Sequence, residues 1–531
     1  MIRDFGPLNA LTWTAAKHEG TYEMEVTARN PSTGDSATGY SLFQFLPVVT
    51  SRDIVISPTS NSLVFLFSAP PCPAQARMRV EFNGPDGVIQ HTPFEACTPH
   101  LTMNFYLAGL RQNTIYQAYY VVDTGDSVHS SAVVAFQTGD LPGDLYSDTI
   151  LTPTTRQSDP ILLGSPLGAR AVANDLEGNV LWYGPNDISI MTRPDPGGEM
   201  WGIVELPGYP TSQQVVRKFD LTGATVLETN AARVNEQLAA MGKRQIDAFH
   251  HEARTLTGGK IAVLGAVEQV MSDTQGPGSV DILGDMIIVL DRNLNVVWTW
   301  DTFDNLDVHR AAVLGETCPS SGCPPLQTSG SANDWTHGNA IQETPDGNLL
   351  YSSRHQDWLI KIAYNGGTGD GHIIYRLGRD GDFQISSSDP FPWFSHQHDS
   401  NFESSDPNRL LVFDDGNTRV VAAGTGAPRI RNAIAASMVS PNVPYQPSGS
   451  SAAAMSAVRS TGDPSPAGSN AADGRPSGPE TNTTSFAASP PERPERDHSS
   501  SQASGFSPHV PDTACTAASA SAVDHVDPVW A

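Results

Sequence analysis

Between about residues 40 and 140, apolar and polar positions alternate in short runs broken by Gly, Pro, Asn or Asp. SLVFLFSA, RMRVEFNG, IYQAYYVVDTG and SAVVAFQTGD all follow this pattern. A period of two sets one face of a strand against a core and the other toward water, so these runs predict strands. The stretch LRQNTIYQAYYVVDTGDSVHSSAVVAFQTG reads as the last three strands of a fibronectin- or immunoglobulin-like β-sandwich, with Leu110 and Tyr116 as core anchors. Residues 1–39 are then an N-terminal segment and 40–142 a sandwich domain, which could serve in dimerisation or substrate gating.

Beyond Pro142 the texture changes and repeats. NDLEGNVLWYG (174–184), FDLTGATVLET (219–229) and LDRNLNVVWTW (290–300) share an acid, a tight turn and a β-branched strand, with IAYNGGTGDGHIIYRLG (362–378) a looser relative. Each predicts a hairpin whose turn needs Asp, Asn or Gly. Hairpins such as TPDGNLLYSSR lie between them, and paired hairpins in series predict four-stranded units. The expected fold is all-β: the sandwich, a β-propeller over 143–424, and a tail over 425–531 too poor in apolar runs to pack. About four units are recognisable between 150 and 420. An open ring and a poorly soluble or inactive chain are therefore expected, because a propeller closes by pairing its last blade with its first.

Composition agrees with this and narrows function. Only 17% of the 531 residues are charged, and Gly (46) and Pro (41) are abundant, as in a turn-rich β protein. The formal net charge of −26 argues against nucleic-acid or anionic-membrane binding, since phosphates require a basic face. No run of about 18 apolar residues is present, so no transmembrane segment is expected. The start, MIRDFGPLNALTWTAAKHEG, lacks the apolar core of a signal peptide. Four of the five cysteines fall in two local pairs, Cys72 with Cys97 and Cys318 with Cys323, whose spacing fits disulfides and favours an extracytoplasmic or secreted setting. Cys515 is left over in the tail, which also holds a weak glycosylation sequon at Asn482.

Histidines carry the candidate chemistry. HEARTLTGGKIAVLG, HGNAIQETPDGNLLYSSR and HDSNFESSDPNRLLVFDDG align on His251, His337 and His398. Asn348 and Arg409 each stand 11 residues after their His, and Lys260 stands 9 after His251. One His at a strand start is ordinarily a surface residue. Three in register on the innermost strands of successive blades would converge at one end of a central channel. Arg354 lies in the apolar context LLYSSRHQDWLIKI and needs an anion or a carboxylate such as Asp357 or Asp399. His250, His355 and His396 are offset by one or two positions and read as supporting residues.

Imidazoles beside a guanidinium suit a tetrahedral oxyanion better than a metal, which Arg354 would repel. Nucleotide-binding loops and a nucleophile elbow are absent, so no metal and no cofactor are expected. Trp335, Trp358, Trp393 and Phe394 could wall a flat organic substrate, though core packing explains each equally well.

DWTHGNAI, LLYSSRHQDWLIKI, PFPWFSHQHDSN, LLVFDDGN, FHHEA at 249–253 and the Cys318/Cys323 pair resemble the bacterial-type arylsulfotransferases that work without a nucleotide sulfate donor. The resemblance covers roughly residues 40 to 420. It implies a sandwich followed by a six-bladed propeller, and sulfuryl transfer from an aryl sulfate to a phenolic acceptor through a sulfohistidine. It implies His398 as nucleophile, His337, Asn339 and Arg354 as ligands of the sulfuryl oxygens, and His251 or His250 handling the phenol proton. Register favours His251, with His250 near the substrate. The partners implied are small molecules, and a homodimer is compatible with the domain plan. A non-catalytic propeller using the same channel for ligand binding stays open as the alternative.

Overall fold

In the computed structural model the described residues are 2–14, 19–146, 161–166, 169–320, 322–385, 390–403 and 406–418, with three strand segments beyond. These segments are Arg429–Ile434, Ala457–Arg459 and Ala518–Asp524. All described residues belong to one compact unit, Met1–Arg459 with Cys515–Ala531; a second unit, Ser460–Ala514, contains none of them. Apart from those segments, the expected structureless tail lies outside the described residues, as does Cys515.

The fold is all-β, with short helices such as Ala231–Ala240 and Thr302–Asn305. No helix among the described residues is long and apolar enough to cross a membrane.

In the N-terminal part, strands Val55–Pro58, Phe65–Ala69 and Met103–Leu107 form one antiparallel sheet. A second is built around Arg77–Asn83 and Ile115–Asp123. Alternate residues of both sheets, among them Phe67, Met78, Val80, Phe105 and Ala118, meet in one core. Leu110 and Tyr116 are buried in it as expected, and the Tyr116 hydroxyl accepts the Arg111 N–H at 2.9 Å. Truncating a buried Phe such as Phe67 to Ala would cost about 3–5 kcal/mol in lost transfer energy and cavity.

From Ile161 onward the sheets follow one another along the chain, most strands pairing antiparallel with a neighbour in sequence; Ser279–Leu290 also pairs parallel with Ala332–Asp334, and Ala518–Asp524 pairs with Gly20–Arg29. The sheet of Ile161–Gly164, Val172–Asp175 and Val180–Tyr183 is followed by those beginning at Ile190, Ala248, Gly338 and His398. The repeated acid closes the hairpin turns. Asp175, Asp220 and Asp291 each accept two backbone N–H groups of their own turn at 2.8–3.0 Å. Gly178 and Gly223 take left-handed φ in two of these turns, and Leu294 takes it at the corresponding place in the third.

The first strands of four consecutive sheets, Ile190–Asp195, Ala248–Thr255, Gly338–Glu343 and His398–Glu403, pack side by side in that order. Side chains at their ends therefore meet, although they are far apart in sequence. Both cysteine pairs are closed as disulfides, Cys72–Cys97 and Cys318–Cys323, which fits an oxidising environment.

Candidate functional site

His251 sits where the Ala248–Thr255 strand bulges, with its register shifting between His250 and Ala253. An extra residue in one strand redirects side chains that would otherwise alternate. Here it brings the adjacent rings of His250 and His251 into edge contact, with centroids 5.2 Å apart. His251, His337, His396, Asp357 and Asp399 all have φ between 45° and 53°, a concentration of left-handed non-glycine backbone at one place. Gly338 follows His337 because a Cβ there would stand 2.5 Å from the Tyr351 ring.

The three aligned histidines come together. The His251 and His337 rings lie 5.1 Å apart, and the strand that follows His337 packs beside the one that starts at His398. His337 packs on His355 at 4.5 Å and His355 on His396 at 5.5 Å, so the rings form a continuous row. Burial, then the neighbouring His250, His337 and His398, hold His251 well below the ordinary histidine range.

Each aligned histidine turns Nδ1 toward the protein. His337 Nδ1 is 2.7 Å from Asp334 Oδ2, His398 Nδ1 is 3.1 Å from Asp415 Oδ2, and His251 Nδ1 is 2.9 Å from His250 Nδ1. A carboxylate can only accept, so Nδ1 of His337 and of His398 carries the proton and Nε2 is the basic atom. His398 is the most open of the five aspartate-paired histidines here, its side chain 36% exposed against 8% or less for His250, His337, His355 and His396.

Arg354 Nη1 donates to His355 Nε2 at 2.5 Å, and His355 Nδ1 donates to the Asp334 carbonyl at 2.6 Å. Burial pushes His355 down to about 4, so it is a neutral acceptor at pH 7. Arg354 Nε is buried and has no hydrogen-bond partner among the described residues; Asp415 Oδ2 is 3.8 Å away. The carboxylate expected beside Arg354 is thus Asp415. Asp357 instead accepts from His396 Nδ1 at 2.9 Å, and Asp399 pairs with Arg193.

Asn339 Nδ2 donates to the carbonyl of Gln397, next to His398, at 2.8 Å, while its Oδ1 is buried without a partner among the described residues. So arranged, Asn339 pins the His398 segment. Both ring nitrogens of His250 face protein groups: His251, and Asp285 Oδ1 at 2.9 Å. The Asp285 contact is close but out of line for a well-directed hydrogen bond. The expected contact of His250 with substrate therefore gives way to a place behind His251.

The aromatics considered as substrate walls take part in packing: Phe394 is buried, and half-buried Trp393 packs against the same cluster. Trp335 is fully buried and donates to the Arg310 carbonyl, and Trp358 donates to that of Arg379. Two triads have spacing suited to a cation: Glu316, His355 and His396, and Asp334, His337 and His355. Both use His355, whose Nε2 faces the Arg354 guanidinium, so an ion there would meet a fixed positive charge. Cys318, Cys323 and Asp334 also cluster, but the two sulfurs are joined to each other.

Asp285, Asp334 and Asp415 were not singled out from the sequence. One signal was available: Asp285 interrupts the apolar run DILGDMIIVL, and an acid buried in a strand needs donors. It has them in Thr336, the Gly338 N–H at 2.7 Å and the Tyr351 hydroxyl at 2.6 Å.

No curated protein matches this chain. Among solved structures, a protein of unknown function from Bacteroides caccae aligns with 10% identity over 68% of this chain and 90% of its own, at a TM-score of 0.30. That likeness is too slight to carry an argument. Residues 155–430 match the model of the arylsulfotransferase (ASST) family. That span exceeds half of the chain and takes in the histidine row, Arg354 and Asp415, so this protein belongs to the arylsulfotransferase family.

Proposed function

We propose that this arylsulfotransferase-family chain moves a sulfuryl group from an aryl sulfate to a phenol in two steps through a sulfated His398. The sheets over 40–142 act as a β-sandwich domain, and those over 143–424 as blades of a propeller whose inner strands line the site. Family membership supports sulfuryl transfer on aromatic compounds. The observation that carries the covalent mechanism is the orientation of His398, with Nδ1 on Asp415 and Nε2 left as the basic atom of a half-open side chain.

In the first step His398 Nε2 attacks sulfur, the N–S bond forms and the S–O bond to the aryl group breaks, releasing a phenolate. His398 keeps its Nδ1 proton, so the intermediate is an N-sulfo imidazolium whose positive charge lies against Asp415. That charge makes the ring a good leaving group. In the second step the acceptor phenol gives its proton to His251 Nε2, its oxygen attacks sulfur, and the N–S bond breaks. Arg354 supplies donors for charge spread over the sulfuryl oxygens, with His337, held at Nδ1 by Asp334, next to it.

The test is transfer from 4-nitrophenyl sulfate to a second phenol by the unaltered protein and by His398→Ala. Ping-pong kinetics and loss of transfer in the variant are expected. Unchanged turnover in His398→Ala would remove the covalent mechanism.

A further inference from the structure

We infer that Asp285 and His250 form a proton relay behind His251, so that the charge taken from the acceptor phenol comes to rest on His250 beside the Asp285 carboxylate. This rests on the sulfuryl-transfer reading above. The tautomers follow from the contacts. Burial favours the neutral acid, but His250, Thr336 and Tyr351 hold Asp285 well below the usual carboxylate range, so it is ionised and can only accept. His250 Nε2 stands 2.9 Å from Asp285 Oδ1, off the line of a good hydrogen bond, and an ionised carboxylate so close favours the proton on Nε2 and leaves Nδ1 as a lone pair. The 2.9 Å contact between the two Nδ1 atoms then requires His251 to donate, which leaves Nε2 on the opposite edge of its ring as the basic atom.

The relay answers a difficulty at His251. A base must accept a proton, yet His251 is desolvated and stands among His250, His337 and His398, so a lasting imidazolium there is strongly disfavoured. Transfer along the row removes the charge. The phenol O–H bond breaks and N–H forms at His251 Nε2; the Nδ1–H bond of His251 breaks and N–H forms at His250 Nδ1. One proton enters, one moves on, and the imidazolium lies against a carboxylate placed on another strand, Ser279–Leu290. Asp285 and His250 touch neither sulfur nor phenol in this scheme, so both are positioning residues.

The experiment reads how transfer depends on acceptor acidity, with 4-nitrophenyl sulfate as donor and phenols of rising pKa as acceptors. Gln or Asn at 250 can still accept from His251 but cannot hold the proton. In His250→Gln and His250→Asn the rate should fall for every phenol, with the loss growing to about 10²-fold for the least acidic. An equal loss across the series, or no loss, overturns the relay. The unaltered protein gives a second test: in mixtures of H2O and D2O, transfer to a weakly acidic phenol should vary with deuterium content along a curve, as two moving protons require. A straight line overturns the relay. The initial burst of 4-nitrophenol reports the first step separately. A missing burst in the unaltered protein sinks the sulfuryl-transfer reading and the relay with it, whereas a burst with a straight line sinks the relay alone.

Discussion

The carboxylate of Asp415 stands 3.1 Å from Nδ1 of His398, and this one contact leaves Nε2 as the basic nitrogen of the ring. Replacing the carboxylate by an amide lets the ring take the other tautomer and leaves the N-sulfo imidazolium without its counter-charge. Asp415→Asn should therefore slow the burst of 4-nitrophenol by about 10⁴-fold, as loss of a carboxylate behind a catalytic imidazole does elsewhere. Stopped-flow absorbance measures it, and a burst within a few-fold of the original would mean that Asp415 serves only in packing.

Arg193 joins the residues that follow two of the histidines. It reaches Glu252, next to His251, at 3.0 Å, and it also pairs with Asp399, next to His398. Glu252 is 1% exposed, and burial raises its carboxyl despite Arg193. Arg193→Ala would leave that acid with Arg254 as its nearest positive charge and cost roughly 3 kcal/mol. Glu252→Gln in the same chain should restore part of this, as urea denaturation of the single and double variants would reveal. The loss should also shrink as pH falls, because Glu252 then protonates.

His396 is held between Asp357 and Glu316. Burial disfavours its charge, but the two carboxylates raise it above its ordinary value of 6.5. Its contribution to stability is whole below pH 6.5 and is lost as pH rises through the raised value. Burial works against Glu316 as an anion, but His396 and His355 hold it at about 2, from an ordinary 4.5. That contribution is whole above pH 4.5 and is lost as pH falls toward 2. The two coincide between pH 4.5 and 6.5, where His396→Gln should cost the most, roughly 3 kcal/mol. A deficit that does not vary with pH would contradict the clamp.

Asp247 runs the other way. Burial, then Glu268 and Asp281, raises it from 3.8 to about 7. Across that interval the folded chain keeps a proton that the unfolded chain has released, so stability falls as pH rises from 3.8 to 7. Asp247→Asn should remove this slope, and its advantage over the original should grow toward neutral pH in denaturation curves.

Much of the fold could be read from periods and turns. Alternation marked the strands around Leu110 and Tyr116, and the repeated acid marked hairpins that Asp175, Asp220 and Asp291 do close. Register found His251, His337 and His398 because equivalent strands lie side by side, which converts sequence spacing into proximity. It could not find their partners. Asp285 lies 35 residues beyond His250, on the third strand of the same sheet, and no repeat links the two. The choice between Asp357, Asp399 and Asp415 for Arg354 depended on the left-handed turns at Asp357 and Asp399, which direct those carboxylates to His396 and Arg193. Nor does alternation foresee the bulge that brings His250 and His251 into contact.

The central claim is a sulfuryl group on His398. Mass spectrometry of the protein after brief incubation with 4-nitrophenyl sulfate, digested at alkaline pH to preserve an N–S bond, tests it most directly. The account predicts one added sulfuryl group on the peptide containing His398, gone after a phenolic acceptor is supplied and absent in His398→Ala. Transfer proceeding with no such adduct, or an adduct on another residue that persists in His398→Ala, would contradict it.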